Sequence, residues 1–345
     1  MQQAQAIHLD TSFSLKGLTL KNRIVMAPMC QYSVEAKDGK PNEWHFVHYV
    51  SRAVGGTGLI IIEMTDVDPD GRITDYDLGL WSDDHIEPFA RLIAEIKKHG
   101  AKVGIQIAHA GRKAQDAAQP VAPSAIPFGP DFKTPRALST TEVGEMVEKF
   151  RAAARRAVAA GVDTIELHGA HGYLLHQFHS PAINQRDDIY GQDRARFGVE
   201  VIQAVKSVMP ESMPLLFRIS AVEYIDNGYD LDYSIELCKR FKAAGVDMIH
   251  VSSGGEGPVG TTRKPGNYPG YQLPMARAIK QEVDIPVIGV GMLDDPKLAQ
   301  AAVANGDVDL VAIGRGMLRN PYWAMHAIME TRGKAAIPEP YRRAY

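Results

Sequence analysis

The sequence predicts a (β/α)8 barrel, an α/β fold entered through a short N-terminal hairpin, and three observations carry that prediction. Eight short apolar runs rich in Val and Ile recur from end to end; helical patterns of ten or more residues separate them; and the runs are nearly continuous in their apolar character. Repeated alternation of strand and helix is the mark of βα units. Continuous apolar strands indicate a parallel sheet covered by helices, and eight of them close into a barrel instead of an open sheet.

Taken in order, FSLKGLTLKNR from Phe13, with its Lys16-Gly17 turn, reads as a hairpin plugging the barrel bottom. The strands follow as NRIVMAP from Asn22, GLIIIEM from Gly58, KVGIQIAHA from Lys102, VDTIELHGAH from Val162, PLLFRIS from Pro214, VDMIHVSS from Val246, IPVIGVG from Ile285 and VDLVAIGRG from Val308. Helices between them carry start and stop signals: Ser139 and Thr140 ahead of one and Gly161 after it, Asp232 ahead of another and Gly245 after it. With 345 residues and 45% hydrophobic content, one barrel with insertions accounts for the length, so residues 1–345 are assigned to a single domain.

Composition excludes several classes of function. Lys+Arg of 38 against Asp+Glu of 41 gives a net charge of -3, with no basic stripe to neutralise a nucleic acid. Cys30 and Cys238 stand far apart, which fits a reducing compartment and leaves no C-x-x-C pair for zinc or an iron-sulfur cluster. No leader pattern and no long apolar span is visible, so a cytoplasmic location is expected.

In such a barrel the chemistry lies at the carboxyl ends of the strands. Strand alternation turns Gln106 inward on the third strand, Glu166 and His168 on the fourth and Arg218 on the fifth. Buried polar groups of this kind serve a ligand or pair with one another. Gln106 as a structural amide and Arg218 in an ion pair with Glu166 are the alternatives to a ligand. The seventh and eighth strands end in GVGML (Gly289 to Leu293) and IGRGML (Ile313 to Leu318). Glycines there let backbone amides approach a phosphate, and Arg315 supplies a cation. Neither G-x-G-x-x-G opening a first helix nor G-x-x-x-x-G-K-[ST] is present, so a mononucleotide fits better than a dinucleotide or a P-loop ligand.

HGAHGYLLHQFHSP, from His168 to Pro181, is the densest constellation. A metal site lacks a third ligand at diagnostic spacing, so none is expected. The preferred reading makes His168 and His171 donors to an oxygen that gains negative charge, with Tyr173 as a neutral proton donor. His176 and His179 read as packing behind them.

These residues resemble the Old Yellow Enzyme family of FMN-dependent ene-reductases (NADH:flavin oxidoreductases), and more closely its thermophilic-like branch with the xenobiotic reductases. LKNRIVMAPMCQYS, GRITDYDLGLWSDDHI, IQIAHAGRKA, ELHGAHGYLLHQFHSP and IGRGMLRNP carry the likeness over the whole chain, and Cys30 with Tyr32 in PMCQY marks the branch. The resemblance implies that Ala27, Pro28, Met29 and Cys30 line the flavin, that Met64 contacts it through backbone, that Gln106 bonds its pyrimidine edge and that Arg218 sits near N1. It implies phosphate and neighbouring backbone contacts from Gly291, Met292, Gly314 and Arg315, and a substrate pocket including Tyr32, His168 and His171. The activity implied is reduction of FMN by NADPH or NADH, then hydride transfer to the β carbon of an enone or reduction of a nitro compound, Tyr173 protonating the α carbon. A hydroxy-acid oxidase and a flavin redox sensor using Cys30 are the rival readings.

The C-terminal PEPYRRAY resembles a tail by which one subunit completes its neighbour's site. That implies a homodimer or dimer-based tetramer with Arg343, or alternatively Arg342, entering the partner's pocket.

Overall fold

The computed structural model describes residues 7–257 and 267–345 and contains the predicted barrel. Its strands, first to eighth, are Ile24–Met26, Leu59–Asp66, Lys102–Ala108, Thr164–Gly169, Leu215–Ser220, Met248–Ser252, Val287–Gly289 and Leu310–Ile313. Each pairs in parallel with the next, and the eighth pairs with the first through Val311–Ile24 and Ile313–Met26, so the eight strands close into a barrel. The covering helices are Glu43–Val54, Ile86–Lys98, Thr140–Ala160, Arg196–Lys206, Leu231–Ala244, Leu273–Val283, Pro296–Ala304 and Trp323–Arg332.

The period-2 alternation sorts apolar side chains into two layers. Val103, Ile105, Ile165, Leu167, Leu215 and Phe217 face outward against the helices. Ile61, Leu216, Met248, Ile288 and Leu310 fill the interior, where Leu18 and Leu20 of the hairpin join them. Burying each such side chain stabilises the fold by about 1.5–3 kcal/mol. The hairpin, Phe13–Leu15 antiparallel to Leu18–Leu20, thus closes the bottom as expected, and the Gly17 N–H donates to Ser212 O at 2.8 Å.

A repeated clasp fixes strand register at that closed end. Asp163, Asp247 and Asp309 stand just before the fourth, sixth and eighth strands, and each grips the strand before its own. Their carboxylates accept the N–H of Val103, Leu215 and Val287, each at 2.9 Å. Their own N–H groups donate to the carbonyls of the same three residues at 2.8, 2.8 and 2.9 Å. Neighbouring lysines sit on these carboxylates, among them Lys97, Lys16 and Lys280 at 3.2, 2.6 and 3.0 Å.

Helix signals hold with one correction. Ser139 caps Thr140–Ala160 in a reciprocal box with Glu142, and Gly161 ends it at φ 90°. For Leu231–Ala244 the cap is Asp230, whose carboxylate accepts the Tyr233 N–H at 3.1 Å; Asp232 lies inside the first turn. Extended backbone at Asp230 (φ -103°, ψ -172°) aims its side chain back at the open N–H groups. Among the described residues no helix is long and apolar enough to cross a membrane.

Candidate active site

The mouth of the barrel gathers the inward polar residues into one band. Strand pairing sets Met64 beside Gln106 and Gln106 beside Glu166. Two residues further along, it sets His168 beside Arg218 and Arg218 beside His250. The expected convergence of Gln106, His168 and Arg218 is therefore present, but the partner of Glu166 differs from the ion-pair alternative. Its two oxygens are taken by Gln106 Nε2 and His250 Nδ1, each at 2.7 Å, so among the described residues no carboxylate is bonded to Arg218. Burial pushes the Glu166 carboxyl up, yet His250, Arg218 and Gln106 outweigh it and hold the group below its usual range. Arg218 is 7% exposed and its Nε has no hydrogen-bond partner. Burial lowers its pKa, with Glu166 opposing. A buried guanidinium in this state is a place prepared for an anionic or strongly accepting ligand atom.

Beyond the fourth strand the chain turns sharply, with His171 at φ 58° and Gly172 at φ 73°. The turn brings three rings together: His168 lies 5.2 Å from His171 and 4.9 Å from Tyr173, centroid to centroid. His168 Nδ1 is buried without a partner, while His171 Nε2 lies 2.7 Å from Ser252 Oγ. Burial, then the cation of Arg218, push both imidazoles well below their usual pKa, so both are neutral near pH 7. Burial also raises the Tyr173 hydroxyl well above its usual value, keeping it protonated. Tyr173 and Cys30 pack on an apolar wall of Met64, Ile73, Ala108 and Ala110. The Cys30 thiol is raised by burial and by Asp77, Glu63 and Asp66, so it is a thiol and not a thiolate. Tyr32, at φ 51° and 48% exposed, stands at the rim.

The two glycine corners meet in a cleft of about 280 Å³ lined by Ser252, Gln272, Gly291, Met292, Gly314 and Arg315. Gly291 adopts φ 120°, and a Cβ there would fall 2.7 Å from Gln272 Nε2. Gly314 approaches the Met29 sulfur of the first-strand loop, to which its Cβ would come within 3.5 Å. Ala27 and Met64 are buried, and Met64 follows an irregularity in the second strand between Ile62 and Met64.

Sequence reasoning missed four polar residues of this region. His250 was open to the alternation argument, since Ile249 and Val251 face outward. Lys113 ends the short helix Gly111–Lys113 beyond the third strand; its Nζ donates to His171 O at 2.8 Å and lies 4.9 Å from the centre of the Tyr173 ring. Glu223 and Glu256 come from loops, where no periodicity marks them. They flank His176, read from the sequence as packing in the core or behind the two donors, with Glu223 Oε1 3.1 Å from Nε2 and Glu256 Oε2 3.2 Å from Nδ1. The three could in principle hold a metal ion. However, the Gly172 N–H donates to Nδ1 at 2.8 Å, which leaves the ring proton on Nε2. Arg112 already occupies Glu256 at 2.9 Å. Both facts oppose a metal. His179 packs against Phe241 and Phe217, as expected.

The tail, Glu339–Ala344, folds along the last helix, with Tyr345 OH 2.9 Å from His326 Nε2. Arg342 pairs with Glu339 at 2.7 Å; among the described residues no ion pair holds Arg343.

Comparison with known proteins bears on the family and the fold. The family model described as NADH:flavin oxidoreductase / NADH oxidase matches residues 9–332. An NADPH dehydrogenase of Bacillus subtilis is 46% identical over 340 residues, covering 98% of this chain and 99% of that protein. One from Bacillus velezensis is 45% identical with the same coverage. Among solved structures, morphinone reductase is similar at a TM-score of 0.82 and 28% identity, covering 99% of this chain and 93% of that one.

Proposed function

The chain belongs to the NADH:flavin oxidoreductase / NADH oxidase family, an FMN-dependent group of oxidoreductases that use a nicotinamide reductant, and from that membership we propose an ene-reductase acting on α,β-unsaturated carbonyls and nitro compounds. The observation that carries the proposal is the cluster of two neutral imidazoles and a protonated phenol, His168, His171 and Tyr173, beside Arg218, whose Nε has no partner.

The residues present fit FMN. Arg218 and Gln106 offer a cation and an amide to the pyrimidine end; Ala27, Pro28, Met29, Cys30 and Met64 offer a wall for the ring; Gly291, Met292, Gly314 and Arg315 offer the phosphate corner. Bound FMN supplies hydride chemistry between NADPH or NADH and the substrate. The side chains do the rest. Neutral His168 and His171 donate N–H bonds to the substrate oxygen, and they are aimed where charge develops. Tyr173 Oη donates its proton to the α carbon, and burial keeps that proton in place until it is needed. Tyr32 and Cys30 border the substrate. An oxidase would require a base here, whereas Tyr173 is held protonated as a donor and burial makes both imidazoles weak bases. The protonated Cys30 likewise disfavours a thiolate redox sensor. The two separated cysteines fit a cytoplasmic setting, and we read the chain as one domain.

Anaerobic turnover of cyclohexenone with NADPH tests the reading, alongside chromatography of the flavin released on denaturation. FMN and a saturated ketone are expected. Protein that cannot be loaded with FMN, or loaded protein that leaves the alkene intact, would reject it.

For assembly we propose a homodimer or dimer-based tetramer in which Arg343 enters the partner's pocket; its lack of an ion pair among the described residues supports Arg343 over Arg342. Arg343→Ala is expected to raise KM for enones several-fold with FMN content unchanged. A monomer by light scattering whose Arg343→Ala kinetics equal wild type would return the tail to a solvated terminus.

A further inference from the structure

The buried cluster behind the mouth has geometry that the reaction as proposed leaves unused. We propose that His176 is a positioning residue: its Nδ1 fixes the His171–Gly172 turn and so aims His171 and Tyr173 into the pocket. The role assigned to those two rings rests on the ene-reductase reading; the fixing of the turn does not.

The turn places two successive residues in the left-handed region, and it is held by side chains instead of a regular backbone ladder. The Gly172 N–H donates to His176 Nδ1 at 2.8 Å. Gly172 O accepts from Gln177 Nε2 at 2.8 Å, the His171 N–H donates to Ser220 Oγ at 3.0 Å, and His171 O accepts from Lys113 Nζ at 2.8 Å. On its outer side the turn is pressed against the loop at Gly255. A Cβ on Gly172 would fall 2.4 Å from Gly255 O, and a Cβ on Gly255 would fall 2.4 Å from His171 Cα. The turn therefore has no slack toward that loop, and its one backbone donor directed at a ring is Gly172.

That ring is itself fixed. His176, Glu223 and Glu256 are all 0% exposed. Glu223 is anchored by the Tyr229 N–H at 2.7 Å and Glu256 by Arg112 at 2.9 Å, so the carboxylates on either side of the imidazole cannot swing away. Nδ1 can accept from Gly172 only while it carries no proton, so the ring proton sits on Nε2, on the side of Glu223. What the turn uses is an acceptor at one point in space. Without it, a buried N–H loses its partner, and the turn must move to satisfy it.

Two substitutions separate this role from simple packing, because Leu nearly keeps the volume of histidine and loses the acceptor, while the smaller Asn loses volume and keeps an acceptor. In His176→Asn an amide oxygen can stand where Nδ1 stood; in His176→Leu nothing accepts. Both are compared with wild type as FMN-loaded enzyme, by the charge-transfer band with p-chlorophenol and by amide hydrogen exchange of the segment containing Gly172. His176→Leu is expected to bind the phenol ~10- to 100-fold more weakly, the span of one unsatisfied buried donor, and to exchange faster at this segment. His176→Asn should stay close to wild type in both. His176→Ala, a second acceptor-free variant, carries the same expectation if His176→Leu does not accumulate. Acceptor-free variants that exchange like His176→Asn would overturn the proposal. A wild-type enzyme giving no phenol band would instead count against the substrate site, and the exchange comparison would still decide the role of His176.

Discussion

Tyr173→Phe is expected to slow enone reduction by roughly 10²- to 10⁴-fold, the usual contribution of a positioned general acid, while reduction of bound FMN by NADPH changes little. The substitution is narrow. Phenylalanine keeps the ring that meets His168 at 4.9 Å and the cation of Lys113 at the same distance, and removes only the hydroxyl. Stopped-flow measurement of the two half-reactions separates the outcomes. Equal slowing of both would mean that the ring shapes the pocket for either ligand, and the donor role would fall. A near-normal rate of alkene reduction would mean that solvent delivers the proton.

Arg218→Leu is expected to cost the enzyme its cofactor. The guanidinium is buried, its Nε is unpartnered, and Glu166 is already engaged by Gln106 and His250. Removing one member of a buried charged contact costs about 2–5 kcal/mol, so FMN affinity should drop by roughly 30- to several thousand-fold and the protein should elute largely colourless. Glu166 loses a nearby cation but keeps Gln106 and His250 on its two oxygens, so folding should survive; circular dichroism and melting with excess FMN check this. Stoichiometric FMN in the purified variant would remove Arg218 from the cofactor site.

The contrast between Arg218 and Glu166 shows what a sequence discloses. Both were visible as inward residues because their neighbours Phe217, Ile219, Ile165 and Leu167 form an unbroken outward row. Their partners were not visible, because pairing across three strands depends on register, which places His250 beside Arg218 and within reach of Glu166. The His168–Tyr173 cluster was legible because one short segment supplies all of it. Glu223 and Glu256 were not, since they reach His176 from two separate loops and only tertiary folding joins them. Asp232 was taken for a cap over Asp230 because the two stand two residues apart in one acidic stretch, and the choice between them is made by backbone angles.

The aspartate clasps at the closed end separate two tasks that a protein must otherwise solve together. Strands three and four, five and six, and seven and eight are each locked in register from below, on the side away from the chemistry. The loops above need not hold the strands in step. They are free to be long, as between Gly111 and Ser139, or to take the costly left-handed geometry of His171 and Met292, without letting the sheet slip. Evolution or design can therefore rewrite the open end loop by loop, changing what is bound while inheriting the alignment of the wall that binds it.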